Sequence, residues 1–134
     1  MELISFIIPV YNEQKTLQQA IEQIVNLNYR EKEILIIDNN STDGTKEILK
    51  DLNEDSVKCL FKEKNEGKGA NIRNALQHAK GDLVLFQDAD LEYHPENYPD
   101  LIKPFLDNDA DVVYGSRLTG SKITKILGWP NLMG

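Results

Sequence analysis

Three acids stand close together in LVLFQDADLEYHPE, residues 83–96: Asp88, Asp90 and Glu92. Carboxylates this near one another repel, so water or a cation must hold them in place. In extended backbone, residues i and i+2 point the same way, which sets Asp88 and Asp90 facing alike. Such a hard-oxygen pair suits Mg²⁺ or Mn²⁺, and Mg²⁺ often takes one or two carboxylates and completes its shell with waters and phosphates. Glu92, one step further along, is placed to reach the ion directly or through a water. The plainer alternative is a solvated acidic turn before a helix, whose N-terminus favours negative charge.

The acids follow an apolar run, Leu83 to Phe86, and that run belongs to a regular pattern. Short apolar segments read as strands at 3–10, 32–38, 56–63, 82–88 and 110–116. Between them lie helical patterns: EQKTLQQAIEQIVNL, STDGTKEILKDL, GKGANIRNALQHA and PENYPDLIKPFLDN. In the first, Leu17, Ala20, Ile21, Ile24 and Val25 share a face. In the third, the stripe is Ile72, Ala75, Leu76 and Ala79. Pro95 suits a first helical position, while Pro104 should bend or end its helix. Ser41 and Asp43 are candidate caps for the second helix. The last stretch, LTGSKITKILGWPNLMG, has no clear period and suggests neither a strand nor a helix.

Strands alternating with helices predict an α/β fold: an open, mostly parallel, twisted sheet with helices on both faces and right-handed crossovers. Ligands in such sheets bind beyond the carboxyl ends of the strands, where the strand order reverses. That draws attention to five polar or glycine-bearing strand ends: PVYNE, DNNSTDG, KNEGKG, DADLE and GSR. The acid pair sits at one of them, which favours the metal reading over the solvated turn.

Composition narrows the function. The chain has 134 residues, one domain's worth, with 40% apolar and 28% charged residues and a net charge of −7. No lysine- or arginine-rich run offers the basic patch that nucleic-acid binding needs. The apolar runs fall far short of the roughly 20 residues that span a bilayer. The start MELISFIIPV lacks the basic region and cleavage site of a signal peptide, so the expectation is a cytoplasmic chain. The single cysteine, Cys59, excludes an internal disulfide and reads as a core filler. His78 reads as a surface residue on a helix, and His94 follows the acids without an assignable role. An acidic protein that handles phosphate would need a metal ion to mediate.

The loop EGKG is suited to a phosphate. Its glycines allow close backbone approach, and a helix N-terminus follows. It lacks the spacing of a Walker A loop and the third glycine of G-x-G-x-x-G, where Ile72 stands. Lys68 is placed either to meet a diphosphate or to lie exposed in the loop. Arg73, one turn later, reads equally as a surface residue.

Taken in order, FIIPVYNE, IIDNNSTDGT, NEGKGANIRNAL, GDLVLFQDADLE and DVVYGSR resemble the GT-A glycosyltransferases of family 2. The likeness is greatest to the polyprenyl-phosphate mannose and glucose synthases. Each motif alone is weak, but five in order and each at a strand end are specific. The resemblance covers residues 3–117. It implies a nucleotide-sugar donor, UDP- or GDP-linked, and inverting transfer of a hexose to an acceptor that is a polyprenyl phosphate or a saccharide. An acceptor carried on a lipid would bring the chain to the membrane surface. The resemblance also implies Mn²⁺ or Mg²⁺ on Asp88 and Asp90, with Glu92 beside it. Pro9, Tyr11 and Glu13 would wall the nucleotide pocket, with Asp38 and Asn39 near the base. Lys68 would lie near the diphosphate, and Ala89 between the two acids. Arg117 would contact phosphates, for which its planar fork is suited.

Each role has a plainer counterpart. Glu13 also suits a helix start, Tyr11 half-buried packing, and Arg117 a surface ion pair. Many relatives carry Asp-Asp-Gly where this chain has Asp38-Asn39-Asn40. An amide donates as well as accepts, so base identity does not transfer. The resemblance divides the chain into a donor-binding region, 1–117, and a tail, 118–134, that begins an acceptor region. Its rivals are a nucleotide- or metal-binding module without catalysis and another metal-dependent phosphoryl-transfer enzyme.

Overall fold

The computed structural model describes residues 3–28, 31–91, 98–107, 112–114 and 125–128. The strands are β1 (Ile4–Val10), β2 (Lys32–Asp38), β3 (Val57–Phe61), β4 (Leu83–Phe86), β5 (Val112–Tyr114) and β6 (Lys125–Gly128). The helices are α1 (Leu17–Val25), α2 (Thr45–Lys50), α3 (Lys68–Leu76) and α4 (Tyr98–Leu106). All six strands form one sheet in the order β3-β2-β1-β4-β6-β5. The first four run parallel, with Ile4 opposite both Lys32 and Leu83. β6 is antiparallel to both of its neighbours, β4 and β5.

The two-residue repeat of the strands divides the core in two. Phe6, Ile8, Ile34, Ile36 and Leu85 face α1, α2 and α4. Ile7, Leu35, Ile37 and Val84 face α3 through Ala75, with Ala79 just beyond its end. Helices thus cover both faces, and every residue of β1 is buried. This is why the central strands read as continuous apolar runs without alternation. Each fully buried isoleucine or leucine contributes about 1.5–3 kcal/mol relative to exposure.

The fold departs from the sequence reading in several places. The tail holds β6, which pairs with β4 and joins β5 to the sheet. A strand of four residues is too short to show a period. Helix α1 starts at Leu17, four residues later than its pattern, because residues 14–16 form a turn closed by Leu17 N–H to Glu13 O at 2.9 Å. Ser41 does not cap α2: its hydroxyl donates to Asp38 instead. Asp43 does serve that helix start, accepting from the Thr45 N–H at 2.9 Å. Pro104 sits inside α4, and the helix runs two residues past it.

Candidate functional site

Along the chain, β1 is followed by β2 and β3 on one side, and β4 then returns to the other side of β1. The strand order therefore reverses between β1 and β4, and a crevice opens at their carboxyl ends. Its volume is about 210 Å³, and its lining comes from four strand ends or loops. The end of β1 contributes Pro9, Val10, Tyr11 and Glu13. Asn39 follows β2, Lys68 and Asn71 open α3, and Asp88, Ala89 and Asp90 follow β4.

Eight residues singled out from the sequence thus meet in one crevice: Pro9, Tyr11, Glu13, Asn39, Lys68, Asp88, Ala89 and Asp90. Asp38 does not line it. Its carboxylate is fully buried and accepts from the Ser41 hydroxyl at 2.5 Å and the Ser41 N–H at 3.0 Å. Ser41 Oγ in turn accepts from the Asn12 N–H at 2.9 Å. Asp38 therefore ties the loop after β2 to the loop after β1. Glu92, His94 and Arg117 lie outside the described residues. His78 is exposed, 3.3 Å from the Lys58 ammonium, and Arg73 is exposed as well. Cys59 is half-buried against the core.

Several contacts fix the acid loop. Gln87 N–H donates to Ile7 O at 2.9 Å, extending the register of β4 beyond its last residue. The Gln87 side chain donates to Asp88 O at 2.9 Å, and its own oxygen accepts from the buried Tyr98 hydroxyl of α4. Thr16 Oγ1 donates to Ala89 O at 2.5 Å. Leu91, directly after the acids, has φ of 65°. A leucine gains nothing from that left-handed conformation, so packing against the core must hold it there. Among the described residues, the other two non-glycine residues with positive φ are Asn12 and Asn40, a residue type that tolerates the conformation.

Charge in the crevice is concentrated. Lys68 Nζ lies 2.5 Å from Asp88 Oδ1. Exposed ion pairs of this kind contribute about 0–1 kcal/mol to stability, so stability alone gives little reason for one at this position. Burial, then the charge of Asp90, raises the Glu13 carboxyl above its ordinary 4.5. A hydrogen bond from Thr16 opposes this rise, and Asp88 and Asp43 add to it. Glu13 therefore feels both acids of the loop across the crevice. Asp88 and Asp90 present hard oxygens beside a lysine, a donor set that fits a divalent ion bridging to phosphate. Among the described residues, no group of three or more His, Cys, Asp or Glu is placed to enclose a metal unaided.

Sequence reasoning passed over Asn71 and Thr16. Asn71 carried a signal: it lies four residues before Ala75 and eight before Ala79, on the same buried face.

This sheet, which reverses between β1 and β4 and carries paired acids at the reversal, has the GT-A fold. A mannosyltransferase of Pyrobaculum calidifontis, solved with GDP-mannose and Mn²⁺, superposes with a TM-score of 0.85 at 19% identity over 98% of this chain and 46% of that one. Residues 5–132 match the model of glycosyl transferase family 2, and the chain belongs to that family. A dolichol-phosphate mannosyltransferase of Pyrococcus furiosus is 35% identical over 132 residues, 95% of this chain and 36% of the relative. Glucosyl-3-phosphoglycerate synthase of Mycobacterium tuberculosis, in complex with Mn²⁺, UDP and phosphoglyceric acid, is 27% identical. It superposes with a TM-score of 0.64 over 78% of this chain and 39% of that one. The chain spans about a third of the length of the curated relatives it matches. Among the described residues, no helix is long and apolar enough to cross a membrane.

Proposed function

We propose that this chain forms the donor-binding part of an inverting, divalent-metal-dependent glycosyltransferase. It would move a hexose from a UDP- or GDP-linked donor to a polyprenyl phosphate at the cytoplasmic face of a membrane. The observation that carries the reading is the crevice between β1 and β4, where Asp88 and Asp90 meet Lys68 beside the wall formed by Pro9, Tyr11 and Glu13. The acceptor follows from the polyprenyl-phosphate enzyme that the chain resembles over 95% of its own length. The metal follows from the hard-oxygen pair and from the Mn²⁺ and UDP bound by the synthase at 27% identity.

In this reading the acceptor oxygen attacks the anomeric carbon, and the bond to the diphosphate breaks with its electrons left on the diphosphate. Asp88 and Asp90 would hold Mn²⁺ or Mg²⁺, with Glu92 proposed as a direct or water-mediated ligand; when bound, the ion would supply Lewis-acid stabilisation of the leaving diphosphate. The Lys68 ammonium exchanges its carboxylate partner for phosphate oxygen. Arg117 is assigned to the same phosphates. Donors preorganised toward developing charge contribute up to a few kcal/mol each. Tyr11 and Pro9 offer packing surface to the nucleoside. A polyprenyl phosphate is already an anion, so no strong general base is required. The donor half is assigned to 1–117 and the beginning of the acceptor region to 118–134.

Calorimetry of UDP, GDP, UDP-glucose and GDP-mannose with and without Mn²⁺ tests the reading. The expected outcome is metal-dependent binding of one sugar nucleotide, lost in Asp90→Ala while the circular dichroism spectrum is kept. Unchanged binding in Asp90→Ala would show the metal assignment to be wrong. Assays of transfer to a polyprenyl phosphate and to a saccharide separate the two acceptor classes, and separate an enzyme from a binding module.

A further inference from the structure

The two asparagines that line the crevice differ in their hydrogen bonding. Asn39 is 5% exposed, and both ends of its amide are engaged. Its Nδ2 donates to Asn65 Oδ1 at 2.7 Å, and its Oδ1 accepts from the Glu66 N–H at 3.2 Å. These bonds tie the loop after β2 to the loop that enters α3. Asn65 Oδ1 also accepts from the Gly67 N–H at 3.1 Å. Asn39 thus serves the wall of the crevice.

Asn71 is 1% exposed and lines the same crevice from the first turn of α3. Its backbone N–H is used, donating to Gly67 O at 3.2 Å. Its side-chain Oδ1 is buried and has no hydrogen-bond partner among the described residues. Buried polar atoms almost always find a partner, and leaving one unmet costs about 1–3 kcal/mol. The position gives no structural reason for an amide. It continues the face that Ala75 and Ala79 pack against Ile7, Leu35 and Ile37, where an apolar residue would pack without that cost.

We infer that the Asn71 carboxamide is a specificity-determining contact to the nucleoside of the donor, its Oδ1 accepting an N–H of the base or an O–H of the ribose. This rests on the donor-site reading above and adds to it the residue that reads the nucleoside. An amide built to meet such a donor is costly without it, so a nucleotide is recognised by satisfying Asn71. A ligand carrying the diphosphate alone gains nothing from the residue.

The test uses Asn71→Ala and Asn71→Leu; the second keeps the branching and the heavy-atom count of the side chain and carries no acceptor. Calorimetry with Mn²⁺ compares UDP and GDP against inorganic pyrophosphate. The expectation is about three- to tenfold weaker binding of the preferred nucleotide in both variants, the loss of one neutral hydrogen bond, with pyrophosphate affinity unchanged. Without nucleotide, Asn71→Leu should melt at or above wild type, because an unmet buried acceptor is gone. A 2′-deoxy nucleotide distinguishes the two donors. If it binds wild type weakly and loses nothing more in Asn71→Leu, the donor is the ribose hydroxyl. If it behaves as the parent nucleotide does, the donor is on the base or elsewhere on the ribose.

The inference is overturned if both variants bind the nucleotide as wild type does. It is also overturned if they lose nucleotide and pyrophosphate in parallel with a lowered melting temperature, since Asn71 then only supports the fold. If wild type itself binds neither nucleotide nor pyrophosphate with Mn²⁺, the donor-site reading fails first and this inference falls with it.

Discussion

Tyr98→Phe isolates the link between α4 and the acid loop. The Tyr98 hydroxyl is buried and donates to Gln87 Oε1, while Gln87 Nε2 donates to Asp88 O at 2.9 Å. Burial raises the Tyr98 pKa, so the group acts as a neutral donor throughout the working range. Phenylalanine keeps the ring, its contact with Phe6 at a centroid distance of 5.7 Å, and the packing on the core. The change therefore removes one donor and leaves the Gln87 oxygen unmet at 4% exposure. The expected loss is about 1–3 kcal/mol, well below the roughly 3–5 kcal/mol of removing a whole buried aromatic ring. Urea denaturation should show the loss as a lower midpoint at unchanged slope. Gln87→Leu with Tyr98→Phe removes both partners, and the pair should be less destabilising than the sum of the singles. Because Gln87 also holds Asp88 O, the single variant should weaken Mn²⁺-dependent nucleotide binding as well. Tyr98→Phe as stable as wild type, or strictly additive with Gln87→Leu, would refute the linkage.

Two further outcomes follow from packing and charge. Gly81→Ala should destabilise by about 1–3 kcal/mol or more, as overpacking does, because the new Cβ would stand 2.7 Å from Ser5 N and 2.9 Å from Leu3 O, both backbone atoms; thermal melts check it. Glu13→Gln should stabilise the chain at neutral pH. The folded carboxyl titrates above its ordinary 4.5, so the folded state binds the proton more tightly than the unfolded state does. Stability then falls as pH rises from about the unfolded value through the folded one. The variant's advantage over wild type should be present at pH 7 and absent below pH 4, in melts at matched ionic strength.

The sheet was legible in the sequence because its signals are local and redundant. Four apolar runs, each closed by polar or glycine-bearing turns, mark β1 to β4 within a residue or two. The rule that strand ends carry ligands then drew attention to the right segments, and the family resemblance named within them eight residues that do share a crevice. What was not legible depends on partners distant in sequence. Asp38 looks like any strand-end acid until Ser41 and the Asn12 N–H are placed around it. Thr16 belongs to a helix start by pattern, yet its hydroxyl reaches Ala89, 73 residues away. Asn71 was hidden by its neighbours. The stripe read through Ile72 and Leu76 is only half-buried, while the face with the greatest burial runs from Asn71 through Ala75 to Ala79. A polar residue among alanines looks like surface when the phase of the helix is taken one residue off. β6 escaped because four residues of strand, KILG, look the same as any short apolar patch.

The placement of β6 sets an order of assembly. It lies between β4 and β5 although it follows both in the chain, and among the described residues β5 pairs with the sheet through it. On a ribosome, the nascent polypeptide would finish its parallel half with one flank of β4 still unzipped. Val112–Tyr114, beside α4, would lack a strand partner until Lys125–Gly128 emerged to slot in next to it. Such late insertion leaves an uncovered strand edge on β4 vulnerable to pairing with another molecule in the meantime.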